Sequence, residues 1–286
     1  MSVKFFLSSL FFCLVLMLSG CGVTPVIDEP RTIVIGKSSI AEAGAALDEY
    51  RLRMVPIWAS GQLFYKEFVG GKRKEHLKFN PANLRFIPDR RMYFGANLVI
   101  GGEAIRLGSN DEEFWLRMRP KEVDRYWSGN WKQLENCREQ LLLSPKVMLE
   151  ALGVISVDSS WRIVNQPGID VLVKYDGVGL PLKKIYVRTS DYLIDKIEYY
   201  GKGILVAVEV KLSGYKKIAD NVSVPGNIMI TSFDEGAVQS TMEVRFKRIK
   251  RFEPSAKQLR VLFKPADSKG IENVYRLNEN CQFMLE

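Results

Sequence analysis

A mainly β fold with α is predicted for this chain, and three observations predict it. Over most of the sequence beyond residue 55, short segments alternate apolar with polar side chains, the period of a half-buried strand. Turns of hairpin length, rich in Gly, Asp and Asn, separate the segments, so neighbouring strands are expected to run antiparallel. Two stretches interrupt this rhythm with helix-capping patterns, one ahead of the strands and one between two runs of them.

The first helix is expected from Ser39 to Met54. Ser39 and Glu42 stand at capping-box spacing, and Ile40, Ala43, Leu47, Tyr50 and Met54 form one apolar stripe that must cover something. Strands follow at Ile57–Phe68, Lys74–Phe79, Leu84–Ile87, Arg91–Leu98, Ala104–Leu107, Glu113–Met118 and Arg125–Trp127, with turns at Gly70-Gly71, Pro88-Asp89, Gly101-Gly102 and Ser109-Asn110-Asp111. Phe114, Leu116 and Met118 share one face, opposite Glu113, Trp115 and Arg117.

The second helix is expected from Ser144 to Leu152: Ser144 caps it, Pro145 suits the first turn and Gly153 suits the residue past its end. Val147, Met148, Leu149, Ala151 and Leu152 are too many apolar residues for one exposed side, so both sides are covered or one faces an apolar cavity. Strands resume at Ile169–Lys174, Lys183–Arg188, Leu193–Tyr200, Ile204–Leu212, Ile228–Phe233 and Ser240–Phe252. In the last of these, Met242, Val244 and Phe246 change phase to Ile249 and Phe252, which predicts a β-bulge near Lys247-Arg248. Pro254 and Pro265 make the final thirty or so residues less regular.

The N-terminus has the organisation of an export signal. Lys4 precedes the apolar run Phe5–Leu18, which is short for a membrane span, and the small residues Ser19 and Gly20 close it. The sequence Leu18-Ser19-Gly20-Cys21 resembles the lipobox of bacterial lipoproteins, which implies cleavage before Cys21 and a diacylglycerol anchor on it. Gly22, rather than Asp, follows the cysteine, and in enteric bacteria that implies sorting to the outer membrane. The expected organisation is therefore a signal over 1–20, a lipidated tether over 21–37 containing Pro25 and Pro30, and a single domain over 38–286. Cys137 and Cys281 would then be the remaining cysteines, either bridged in an oxidising compartment or buried as separate thiols.

The formal charge is +8, and Arg245, Lys247, Arg248, Lys250, Arg251, Lys257, Arg260 and Lys264 are opposed within their stretch by Glu253 alone. Outside the cytoplasm a nucleic-acid partner is not expected; a solvated cationic face, an anionic membrane or an anionic ligand are the alternatives.

Reactive groups are scarce. His76 is the single histidine, with no second histidine or cysteine at metal-ligand spacing, and the sequence has no G-x-S-x-G, H-E-x-x-H, Walker-type or dinucleotide-binding pattern. No catalytic residue, metal or cofactor is therefore expected, and Asp111-Glu112-Glu113 reads as a turn entering a strand. The aromatic residues Trp115, Tyr126, Trp127 and Trp131, with Arg119, Lys121 and Arg125 nearby, are candidates for a cavity mouth or a lipid interface, or for core packing.

Three segments, "GSNDEEFWLRMRP" at 108–120, "SPKVMLEALGV" at 144–154, and "VPGNIMI" with "MEVRFKRIKRF" and "LFKPAD" near the end, together resemble the LolA/LolB-like lipoprotein-carrier superfamily. The resemblance implies a twisted antiparallel half-barrel closed by the N-terminal helix and a mid-chain lid helix. It implies an apolar cavity for the acyl chains of lipids or lipidated proteins, with Val147, Met148, Leu149, Leu152, Phe114, Leu116 and Met118 as candidate lid or cavity residues. Trp115, Trp127, Arg119 and Lys121 are the corresponding interface candidates. A membrane, an acyl chain or lipoprotein cargo and a periplasmic carrier protein are the implied partners. A core filled with side chains, suiting a structural or assembly lipoprotein, is the alternative.

Overall fold

Ser39 starts the first helix, α1 (Ile40–Arg53), by accepting from the Glu42 amide at 3.2 Å. The Glu42 carboxylate reaches back to Ser38, whose amide and hydroxyl donate to it at 3.0 and 2.8 Å, so the reciprocal half of the expected box takes its donors from the residue before the cap rather than from Ser39. Ala43, Gly44 and Leu47 are the buried face of α1. This computed structural model describes residues 34–119, 124–135, 144–201 and 203–286, and Val34–Glu286 belong to one unit.

The first run of strands is β1 (Ile57–Val69), β2 (Lys72–Ile87), β3 (Arg91–Leu98), β4 (Gly102–Ser109), β5 (Glu113–Met118) and β6 (Arg125–Asn130). Two short helices follow, α2 (Trp131–Glu135) and α3 (Pro145–Ala151). The second run is β7 (Arg162–Gln166), β8 (Ile169–Tyr175), β9 (Pro181–Arg188), β10 (Ile194–Tyr200), β11 (Val206–Ser213), β14 (Asn227–Asp234) and β15 (Ala237–Arg251), with the small hairpin β12 (Lys216–Ala219) and β13 (Val222–Val224) between. Helix α4 (Ala256–Leu262) and strands β16 (Asn273–Leu277) and β17 (Phe283–Leu285) end the chain.

Among the described residues, fifteen strands form one sheet in the order β17-β16-β6-β5-β4-β3-β2-β1-β15-β14-β11-β10-β9-β8-β7, open at β17 and β7. Each run is a meander of antiparallel neighbours, and β1 joins them by pairing with β15 from Ile57↔Arg251 to Glu67↔Ser240. The predicted bulge is present: Ser60 faces Arg248 and Gly61 faces Phe246, leaving Lys247 as the extra residue. Gly61 permits this close approach, because a Cβ there would collide with the Arg245 carbonyl.

Alternation places Ile57, Leu63, Phe79, Phe86, Phe94, Leu107 and Phe114 from the first meander, and Ile185, Ile197, Val210, Ile230 and Val244 from the second, in one buried cluster with α1 and α3. Tyr50 of α1 ties this cluster to the small hairpin by donating its hydroxyl to the Ser223 carbonyl at 2.7 Å. A second, smaller cluster lies on the outer face of the sheet, where Trp115 and Tyr126 pack with Ala266 and Ile271 of the C-terminal segment.

Several elements differ from expectation. Lys74–Phe79 and Leu84–Ile87 belong to one strand, β2, whose register slips between Phe79 and Ala82 where Asn80-Pro81 breaks the alternation. Ile204 is 70 % exposed and precedes β11, because the Gly203 turn occupies that stretch. The edge strand β7 escapes the sequence pattern because most of its residues are exposed. The C-terminal residues are more regular than expected, and β16 runs parallel to β6, a pairing that no hairpin rule anticipates.

Candidate functional site

Helix α3 is built to be surrounded. Ser144 accepts from the Val147 amide at 3.1 Å, Pro145 opens the first turn, and Pro145, Val147, Met148, Leu149, Glu150 and Ala151 are all buried. Glu150 is the exception in chemistry, and the sheet provides for it. Lys183 of β9 and Tyr199 of β10 are direct cross-strand partners. Lys183 donates to both Glu150 oxygens at 2.7 Å, and the Tyr199 hydroxyl donates at 2.5 Å. Burial works to raise the Glu150 carboxyl, but the charges of Lys183 and Lys146 and the two donors outweigh it and hold the group below the ordinary carboxylate value. The Lys183 ammonium also lies 5.8 Å from the Trp161 ring centroid and 5.1 Å from that of Tyr199.

Beside this ion pair opens a cleft of about 880 Å³ between the two meanders. Trp131, Leu134, Leu149, Trp161 and Leu182 supply its apolar wall, while Arg51, Arg90, Lys146 and Lys174 bring positive charge and Asp89, Asp158 and Asp176 negative charge. A separate gap bounded by Leu47, Tyr50, Leu152 and Tyr215 is about 10 Å³, too small for more than a single water. This cleft is amphipathic, whereas the resemblance implies an apolar cavity. Such a cleft can take an elongated molecule with an apolar body and a charged end.

The expected lid and cavity residues divide between core and cleft. Val147 and Met148 are 0 % exposed, and Phe114, Leu116 and Leu152 are buried with them in the main cluster, while Met118 packs half-buried against it. Leu149 lines the cleft. Trp115, expected at an interface, is 1 % exposed and packs under the C-terminal segment, and its indole N–H has no hydrogen-bond partner among the described residues. Trp127 stacks on Tyr275 with centroids 5.8 Å apart, a contact made by the β16–β6 pairing. Arg119 is exposed and pairs with Asp124 at 2.9 Å. Cys281 is disulfide-bonded; Cys137, Lys121 and Cys21 lie outside the described residues.

No family model matches the chain, and no curated protein matches it. Solved structures do. A domain from Vibrio parahaemolyticus named for outer membrane lipoprotein sorting superposes with a TM-score of 0.50 at 12% identity, over 78% of this chain and 100% of that one. The chain shares the fold of that domain. Also similar are a DUF1329 family protein from Desulfovibrio piger (TM-score 0.49, 14% identity, 77% of this chain and 94% of that one) and a LolA superfamily protein from Nitrosomonas europaea (TM-score 0.49, 9% identity, 80% and 99%).

The cleft residues that sequence reasoning missed are Glu150, Trp161, Lys183 and Tyr199. A glutamate among the apolar residues of α3 was the one available signal. The turn from β3 to β4 presents Val99 and Ile100 at 76% and 89% exposure, an apolar tip between Leu98 and Gly102. His76 is exposed on β2, outside the cleft. Among the described residues no group of three or more His, Cys, Asp or Glu is placed to hold a metal ion, and no helix is long and apolar enough to cross a membrane.

Proposed function

We propose that this chain is a non-enzymatic lipoprotein of the cell envelope that takes up an amphiphile, either a lipid acyl chain or the lipid moiety of a lipidated protein, in the cleft beside α3. The carrying observation is the cleft itself: about 880 Å³, with Leu149, Trp161 and Leu182 on its wall and Lys146 and Lys174 among its cations. An acyl chain would lie along the wall, with its charged end toward the cations.

The lipobox at Leu18–Cys21 supports anchoring through diacylglycerol on Cys21, facing the periplasm, and Gly22 supports the outer membrane as the location. Anchoring raises the effective concentration of the cleft at the bilayer, so cargo received from a periplasmic carrier protein is delivered without free diffusion. The exposed Val99–Ile100 tip supports contact with the apolar part of that membrane. The packing of Val147, Met148 and Leu152 favours a second reading, a structural or assembly lipoprotein with a filled core.

Native mass spectrometry of the chain from Thr24 onward, purified without detergent and then extracted with organic solvent, separates the two. That chain lacks the Cys21 lipid but keeps the Val34–Glu286 unit. The carrier reading expects a co-purifying amphiphile that is lost in Leu182→Asp, and in Leu149→Glu where that variant folds. A clean apo mass that also refuses added palmitate and lysophospholipid rejects the carrier reading in favour of the filled scaffold.

A further inference from the structure

The basic residues that stand out in the sequence are not spread evenly over the structure, and their pairing is selective. On the outer face of the sheet, Arg245 is neutralised by Glu243 at 2.6 Å and Arg106 pairs with Glu103. Arg85, Arg248, Lys250 and Lys264 on the same face have no ion-pair partner among the described residues. Trp58 of β1 organises three of them: its ring centroid lies 5.1 Å from the Arg85 guanidinium, 5.0 Å from the Lys250 ammonium and 5.9 Å from Arg248. The register explains this, because Trp58 faces Arg85 on β2 and Lys250 on β15 while Ser60 faces Arg248.

Arg85 is held most firmly. The Phe252 ring centroid lies 5.6 Å away, and among the described residues the one acceptor of Arg85 is the Leu84 carbonyl at 3.1 Å, so most of the guanidinium donors remain available. Burial pulls it below the ordinary guanidinium value with no carboxylate to offset the effect. It lines a groove of about 360 Å³ between α4 and strands β2 to β4, together with Tyr93, Arg106, Lys264 and Val261, the last 65% exposed.

We infer that this outer face is a docking surface for an anionic bilayer, with Arg85, Lys264, Arg248 and Lys250 taking phosphate head groups. Charge complementarity carries the choice. The guanidinium fork suits phosphate oxygens, and a half-buried cation left without a carboxylate is matched when an anion arrives. A bilayer is favoured over a soluble phosphate because the cations span β15, β2 and the end of α4 rather than converging on one point. Trp58, Phe252 and the exposed Val261 sit among them, as polar and apolar groups do at a membrane interface. The inference does not depend on the cleft, which lies on the helix-covered face.

Flotation of the chain from Thr24 onward with phosphatidylcholine vesicles, with or without phosphatidylglycerol, tests it. The expected result is recruitment by the anionic vesicles alone, weakening with salt, and reduced about fivefold for each of Arg85→Gln and Lys264→Gln. Lys264 is exposed, so its variant reads the surface even where Arg85→Gln perturbs folding. Lys72→Gln, at the exposed β1–β2 turn, is expected to bind as the parent does. Absence of recruitment, or an equal loss in Lys72→Gln, overturns the assignment. Inorganic phosphate that alters tryptophan fluorescence in an Arg85-dependent way, without vesicle recruitment, assigns a free-phosphate site and overturns the bilayer as occupant.

Discussion

Lys183 reaches Glu150 across the space between sheet and helix and donates to both of its carboxylate oxygens at 2.7 Å. The side chains are 13% and 11% exposed, so each charge has been taken largely out of water and depends on the other. This pair fixes α3 over β9 and β10 and forms one side of the cleft.

Removing Lys183 takes from the buried Glu150 carboxylate the cation that donates to both of its oxygens. Lys183→Met is expected to cost about 3–5 kcal/mol of stability, read from the urea midpoint, whereas Lys183→Met with Glu150→Leu recovers most of that loss. Equal costs for the single and double variants would mean that the pair is not coupled.

The same pair predicts acid sensitivity. The folded Glu150 carboxyl is held below its ordinary value, so its contribution to stability is complete above about pH 4.3 and is lost as the pH falls through the lowered folded value. Urea midpoints measured from neutral pH downward are expected to fall more gently in Glu150→Gln than in the parent over that acid range.

Gly108 lies beneath the Trp115 ring, where an added Cβ would stand 2.5 Å from ring atoms. Gly108→Ala is expected to displace the indole from the C-terminal segment and cost about 1–3 kcal/mol, with a change in near-ultraviolet circular dichroism. An unchanged spectrum and melting temperature would contradict this packing.

Ser144 caps α3 from a position that is 1% exposed. Ser144→Ala is expected to cost about 1 kcal/mol, and Ser144→Thr to cost less by keeping a neutral acceptor for the Val147 amide. Chemical denaturation of the three proteins in parallel checks the order.

Much of this fold was legible because strands and capped helices are written locally. Ser39 and Ser144 announce α1 and α3, alternation announces most of both meanders, and the change of phase after Phe246 announces the bulge at Lys247. The candidate site was legible only in part. Leu149 was expected to face a cavity and lines the cleft, whereas Trp115, on the face opposite Phe114 and Leu116, has the same sequence pattern whether that face meets solvent or a distant segment.

By itself the sequence determined the element types, the inner and outer faces of the strands, the scarcity of catalytic groups and the concentration of basic residues near the C-terminus. These follow from side-chain period, capping and composition, which act over a few residues. Only the tertiary structure decided that β1 pairs with β15, that β16 lies parallel to β6, that Glu150 meets Lys183 and Tyr199, and that Arg85, Arg248 and Lys250 gather at Trp58. Those contacts join residues far apart in the chain, and their energies depend on burial and on partners that no local pattern specifies.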